Sequence, residues 1–475
     1  MRIPMRARAL LKCGVAGLVL AGSGLCAAQG LKPRPSEQPT PEVEAVMEKS
    51  HSIAALEIVG FDFLLNRYNR IYSGVPDYDV NFSTLRRNLR RSWGVDDDDF
   101  KINQLGHPYQ GSMYHGFARS AGLNFWESAG YTFAGSIGWE LAGENTRPSV
   151  NDQIASGVGG AFLGESLFRM ASLVLEHGDG VPRPLREAVA AVISPSTGFN
   201  RLVYGKRFDT IFASRNPAYY SRMQFGLMGT AQNEQGLSTL LRRNEAQVNF
   251  AIEYGLPGKD GYRYRRPFDY FAFEATGSSA NKFETVMTRG LLFGRDYSLA
   301  SDRYRGIWGL YGSYDYISPQ TFRISSTALS LGTTGQWRAN DKIVVQGSAM
   351  AGIGYAAVGT VRGGTERDYH YGTTPQALLT LRVIDGDRTS LDMTAREYFV
   401  TRASGGGPGG HDNIARVEIG LTRRIHNLHA ITVKYLWNRR DATFPGVEDS
   451  RQTRGTVGIF YTLLGQDRFG TVDWR

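Results

Sequence analysis

From about Tyr219 onward, apolar residues fall on every second position, and this alternation restricts the C-terminal half to β-sheet. The clearest run is 245–256. Ala246, Val248, Phe250, Ile252, Tyr254 and Leu256 share one face, opposite Glu245, Gln247, Asn249 and Glu253. Successive strand side chains point to opposite faces, so one face is apolar and the other wet. Ala415, Val417, Ile419 and Leu421 repeat the pattern against Arg416, Glu418, Gly420 and Thr422. So do Ile431, Val433, Tyr435 and Trp437 against Thr432, Lys434 and Asn438, and Val457, Ile459, Tyr461 and Leu463 against Thr456, Gly458, Phe460 and Thr462. Over 283–293 the pattern blurs, because Arg289 falls in the more apolar register.

Twelve strands are expected, beginning near Tyr219, Glu245, Pro267, Lys282, Arg305, Phe322, Lys342, His370, Thr389, Asn413, Ala430 and Thr453. The blurred strands leave ten or fourteen open. Runs of ten or more residues exceed the soluble mean of about 5–6. About twelve residues rising ~3.3 Å each, tilted, cross a bilayer core. The expected fold is therefore α+β: a helical domain followed by an antiparallel transmembrane β-barrel, with a soluble sandwich as the competing architecture. The 57 glycines, 24 Phe and 24 Tyr suit a barrel's turns and its interfacial aromatic girdles. Links around Asn340, Gly386 and Asn427 are short, whereas 360–368, 402–412 and 443–452 are long. Short turns lie on the periplasmic side of an outer-membrane barrel, so an even strand count puts both barrel ends and the preceding domain in the periplasm. The links 257–266 and 296–304 look too long for that rule. The last strand is followed by a tail, 465–475, with Trp474 next to last, where barrels of this type usually end on an aromatic residue of the strand itself.

The N-terminus has its own logic. Arg2, Arg6, Arg8 and Lys12 precede an apolar run over 13–25 and small residues at Cys26, Ala27 and Ala28. This reads as a secretory signal peptide, 1–28, cleaved after Ala28. Leu25 before Cys26 argues against lipidation. Both cysteines, Cys13 and Cys26, lie within it, which excludes a disulfide framework and cysteine-held metal from the mature chain. The formal charge is +9, and removing the signal's four positives leaves about +5, scattered along the chain. No basic stripe with interleaved aromatics appears, so no nucleic-acid partner is expected. Residues 29–41 read as a Pro-rich linker, 42–205 as a periplasmic helical domain, 206–464 as the barrel.

Helices are expected over 41–70, 111–123, 125–143, 150–176 and 184–193, with many arginines between 77 and 92. Ser149 is a credible N-cap with Asp152 as its capping-box acid. Gly130, Ala134, Gly138 and Ala142 form one small-residue stripe, and Ser156, Gly160 and Gly164 another. Such stripes suit a closely packed helical hairpin, set against the membrane, in the barrel lumen or in a soluble bundle.

The run from Asn103 through Gly106-His107-Pro108-Tyr109 to His115, followed by Ala118-Arg119, Gly122, Ser136-Ile137-Gly138-Trp139-Glu140, Glu144, Arg147-Pro148-Ser149, Asp152, Gly159-Gly160 and Gly164-Glu165, resembles an uncharacterised bacterial envelope family catalogued as domain of unknown function 3943. The likeness covers about 96–169 and extends loosely to Phe199-Asn200-Arg201 and Tyr314-Asp315-Tyr316. It implies an envelope location and no settled activity. The helical part is also faintly similar to VanZ-like membrane proteins, which would imply a lipid or peptidoglycan-linked ligand.

Three helices carry the candidate chemistry. His115 and Arg119 share one face, Glu140 and Glu144 the next, and Asp152 and Glu165 the third. His115 with Glu140 or Glu144 would make a general acid–base pair. The same residues, with His107, Arg119, Asp152, Glu165 and Arg169, would otherwise form a buried network fixing helix register. Glu165 and Arg169 have ion-pair spacing, and Asp152 suits a cap better than a catalyst. His107, ahead of Pro108, is expected extended in a loop. The His107–His115 spacing is no recognised ligand pattern and the acidic run Asp96 to Asp99 lacks the form of a calcium loop, so neither metal nor cofactor is expected. The barrel offers no nucleophile elbow. Three functions remain: a channel or transport component gated or plugged by the helical domain, an enzyme acting on envelope lipids, or a structural or assembly factor. The expected partners are outer-membrane lipid, barrel-assembly machinery and a small-molecule or lipid ligand.

Overall fold

The computed structural model describes residues 48–177, 180–235, 244–299, 303–319, 321–361, 365–402, 409–446 and 449–474. The signal segment, the linker and the first residues of the helix expected over 41–70 lie outside them. The chain divides into two units between Ser214 and Arg215, and each is taken by itself.

In the first unit, α1 is His51–Ser73, capped by Ser50 and ended by Gly74 at φ 66°, the left-handed geometry that glycine adopts without penalty. α2, Phe82–Asn88, opens with a capping box between Asn81 and Thr84. α3 is His107–Ser120 and α4 is Phe125–Gly138, the latter boxed by Asn124 and Glu127. α5, Val150–His177, is long and apolar enough to cross a membrane, but 94% of its most apolar window is buried inside the fold, as in a core helix. α6, Arg183–Ile193, and α7, Pro195–Tyr204, follow.

Three π turns interrupt this helical framework: Ile102–Gly106, Trp139–Gly143 and Gln153–Gly159. The first corrects the expectation for His107. That residue is helical at φ −61°, ψ −47°, and its N–H bonds the carbonyl of Ile102. The wider turn opens the ladder just before Pro108, so the proline that should end a helix sits in the first turn of α3. The second π turn ends the helix at Gly143 and leaves Glu144 extended at φ −133°, ψ 154°, so Glu140 and Glu144 do not share a helix face. Asn66 and Asn88 donate to the carbonyls of Gly143 and Glu144 and satisfy this helix end.

The small-residue stripe of α5 works as a close contact, but against α3. A methyl on Gly160 would stand 2.6 Å from Gly111 Cα, and one on Gly164 2.7 Å from His115 Cβ. Gly130, from the other stripe, has nothing within 4 Å. α4 instead buries Ser128, Thr132, Gly135 and Ser136.

The second unit is a closed antiparallel barrel of twelve strands. These are β1 Tyr219–Gln235, β2 Asn244–Tyr254, β3 Phe271–Ser278, β4 Thr285–Leu299, β5 Tyr304–Ile317, β6 Phe322–Arg338, β7 Ile343–Thr360, β8 Tyr369–Asp385, β9 Thr389–Thr401, β10 His411–His426, β11 His429–Thr443 and β12 Ser450–Leu464. Each pairs with its sequence neighbour, and β1 pairs with β12 from Arg222↔Leu464 to Gln235↔Gln452. No sheet edge remains, as a membrane requires and a sandwich does not provide. Leu227, Leu331, Ile353, Leu421 and Ile459 are exposed on the outer wall, whereas Gln224, Arg382, Arg416, Lys434 and Thr462 face inward and are buried. A transmembrane barrel has this apolar-out, polar-in order.

β3 starts at Phe271, after Pro267, because Phe268 takes a positive φ and Asp269 closes a turn on the N–H groups of Arg265 and Arg266. β4 carries a bulge between Leu291 and Phe293 that explains the blurred pattern. Before the bulge, Met287 and Arg289 face inward; after it, Phe293 faces outward and is exposed. A bulge inverts strand parity. The link expected over 296–304 is shorter than it looked, since β4 runs to Leu299 and β5 begins at Tyr304. The link after β2 is long, as expected from 257–266.

Candidate functional site

Two buried polar networks and the barrel lumen bring functional side chains together. In the first network His115 meets Glu165, with neither Glu140 nor Glu144. Nε2 of His115 lies 3.0 Å from Glu165 Oε2. Arg119 Nε donates to the same oxygen at 2.8 Å and Arg169 Nε to Oε1 at 2.8 Å. The Glu165–Arg169 spacing thus forms its ion pair across one helical turn. His115 and Glu165 are both fully buried. The guanidinium of Arg119 lies over Phe168 and Phe212, at 4.6 and 4.8 Å. Burial alone would raise the Glu165 carboxyl, but Arg119, the His115 hydrogen bond and Arg169 together hold it well below the carboxylate range. Burial lowers the His115 imidazole against the pull of Glu165, so the ring is neutral and its Nε2–H faces the carboxylate.

The second network collects the acids at the start of α5. Ser149 caps Asp152, as expected, accepting from its N–H at 3.2 Å. The box differs from expectation: Glu140 Oε2 accepts the Ser149 N–H at 2.7 Å, while the Asp152 carboxyl bonds the Ser149 hydroxyl. Glu144 accepts from the Trp139 indole at 2.9 Å. His107 lies 4.0 Å from Asp152 and 3.3 Å from the Ser156 hydroxyl. Burial raises Glu140, with Asp152 and Glu144 adding to it. Burial also raises Asp152, and brings Glu144 to about 7. Burial lowers His107. The cluster therefore holds protons at neutral pH. The structure places His107 here and His115 in the other network, and no group of three or more His, Cys, Asp or Glu suited to a metal ion occurs among the described residues.

The lumen was not resolved residue by residue from the sequence. It contains a cavity of about 90 Å³ bordered by side chains from β1 to β10. Arg382 spans it, with Nε 2.6 Å from Asp392 and Nη2 3.0 Å from Glu253. Arg222 also approaches Asp392, and Asp315 takes Tyr398 at 2.8 Å and Arg396 at 3.5 Å. Toward the long loops the lumen is packed with Ile317, Phe322, Ile324, Val358, Val400 and Ile414. Toward the short turns it is closed by the segment after β12. Phe469 and Val472 pack with Tyr220, Leu256, Val344, Ile384 and Leu464. Gln336 donates to the Val472 carbonyl at 2.7 Å and accepts its N–H at 3.0 Å. Gln346 donates to the Gly470 carbonyl at 2.8 Å. Arg338 also reaches Val472 and pairs with Asp473. Trp474 stacks with Arg305 and Arg338, at 5.0 and 4.7 Å. The misfit of Arg289 in an apolar register was the trace of this interior in the sequence.

No curated protein matches the chain. Among solved structures, similar chains include the NanC porin, 8% identical, covering 51% of this chain and 98% of its own at a TM-score of 0.27. The outer membrane channel DcaP of Acinetobacter baumannii is 7% identical over 52% of this chain and 96% of its own, TM-score 0.25. A mutant of the TodX monoaromatic hydrocarbon channel is 10% identical over 58% and 94%, TM-score 0.23. The barrel topology rests on its own strand pairing. The likeness to VanZ-like proteins is not borne out. Residues 92–196, which hold both buried networks almost entire, match the family described as Domain of unknown function (DUF3943), and the helical unit carries that domain.

Proposed function

We propose that this chain is an outer-membrane channel or transport component, with its helical unit in the periplasm, and that segment 465–474 is the gate. The observation that carries the reading is the polar lumen cavity lying between an apolar inner cluster and the segment after β12 that is folded into the lumen. A charged interior serves solute passage, and a folded-in strap held by side-chain packing, cation–π stacking and hydrogen bonds rather than by strand pairing can leave without breaking the barrel ladder. This strap gates the lumen from within the barrel, beside the gating or plugging role expected of the helical domain. The enzyme reading is less favoured: His115 and Glu165 are fully enclosed, and a general acid–base pair must reach its substrate. We assign His115, Arg119, Glu165 and Arg169 to register-fixing instead.

The test is swelling of proteoliposomes in isosmotic small solutes. The intact protein should swell slowly, and the Gln336→Ala/Arg338→Ala variant, which loosens Val472, Asp473 and Trp474, should swell several-fold faster. Equal and negligible swelling of both, with the barrel folded by heat-modifiable gel mobility, would overturn the reading.

A further inference from the structure

Many of the lumen charges pair with one another, whereas Arg289 and Glu274, like Arg416 and Glu284, form no ion pair among the described residues. Arg382 joins Glu253 and Asp392, Arg396 joins Asp315, and Lys434 joins Glu418. Arg289 has no ion-pair partner among the described residues, although it is only 9% exposed and its Nε is buried without a hydrogen-bond partner. Its neighbours across the sheet are Ala272 on β3 and Ser313 on β5, too small to cover a guanidinium. It borders both the 90 Å³ cavity and a second of about 20 Å³ that also reaches Arg396, Gln376 and Tyr398. Glu274 lines the larger cavity as well; its Oε1 accepts from Asn249 at 2.8 Å, and it forms no ion pair among the described residues.

Arg289 and Glu274 are diagonal neighbours on β4 and β3, because Arg289 faces Ala272 and Glu274 lies two residues further along. Such positions are about 7–8 Å apart at the backbone. A cation and an acid that both border one cavity and form no ion pair, the acid held by Asn249 and within the field of Arg222 and Arg396, leave room for a molecule with both charges. We propose that the lumen holds a binding site for a small zwitterion of the α-amino acid type, its carboxylate on the Arg289 guanidinium and its ammonium on Glu274. The planar guanidinium suits a bidentate carboxylate. A multiply charged anion would meet Asp315, Glu253 and Asp392 around the same cavity. The volume suits a solute the size of a handful of waters, at roughly 10–15 Å³ per water.

This site deepens the channel reading by naming the class of solute, and its test is read at equilibrium so that binding and conduction fail separately. The refolded full-length protein is dialysed to equilibrium against labelled glycine, acetate, methylammonium or phosphate, each alone. Glycine should be retained saturably and more tightly than the other three. Arg289→Gln should weaken glycine at least about tenfold, the loss expected for one charge-assisted pair. Glu274→Gln should weaken glycine and spare acetate. Acetate or phosphate held as tightly as glycine would overturn the zwitterion assignment. Glycine retention unchanged in Arg289→Gln, or absent from the folded wild type, would overturn the site.

Discussion

Replacing Glu165 with glutamine would leave Arg119 and Arg169 in a buried setting without their counter-charge. Breaking such a pair by removing one partner costs about 3–5 kcal/mol. Denaturant unfolding of the helices, followed by far-ultraviolet dichroism on the full chain, should show a loss of that order. A change under about 1 kcal/mol would mean the charges are solvated. The second network has the opposite pH response. Glu140, Glu144 and Asp152 bind protons more tightly folded than unfolded, so their contribution is complete below the unfolded carboxylate range and fades as pH rises toward and past 7. Glu165, held low, contributes above the unfolded carboxylate range and is lost on acidification below about pH 4.5. Helix melting should therefore fall between pH 5 and pH 8, and Glu140→Gln, neutral at every pH, should flatten that fall. An unchanged slope in the variant would remove Glu140 from the account.

At the scale of elements, the contact between α3 and α5 depends on Gly111 and Gly160. Gly160→Ala places a methyl against Gly111 Cα, and overpacking of this kind costs about 1–3 kcal/mol. Gly130→Ala, at an open position on α4, should be neutral or stabilising, which thermal melts of the two variants will decide. The contrast marks what sequence could yield. The two small-residue stripes looked alike, and only tertiary packing separates the one that meets another helix from the one that does not. Strand starts were legible to within a few residues for β1, β2 and β5 to β12, because each alternates against one dry and one wet face. β3 starts later than expected, where Phe268 turns the chain, and the alternation within β4 blurs because the bulge at Leu292 inverts parity. In the helical domain the residues of both networks were legible, and so were the Glu165–Arg169 pair and the Ser149 cap of Asp152, but not the partners of His115 and Glu144. Three π turns shift the helix phase, so His115 found Glu165 and Glu144 left its helix.

At the scale of the molecule, the barrel has no free edge, and its lumen carries an apolar cluster of its own side chains toward the long loops and the segment after β12 toward the short turns. The strand ladder does not depend on that segment, whose hold includes the contacts from Gln336, Gln346 and Arg338, the stacking of Arg305 and Arg338 on Trp474 and of Arg424 on Phe469, and the burial of Phe469 and Val472. Its removal should open the barrel without unfolding it. The decisive measurement is ion conductance in planar bilayers of the full chain and of a chain truncated after Leu464, both verified as folded by heat-modifiable mobility. The full chain should stay closed with brief openings, and the truncated chain should carry a steady ohmic current. Silence from both, or equal currents from both, would contradict the account.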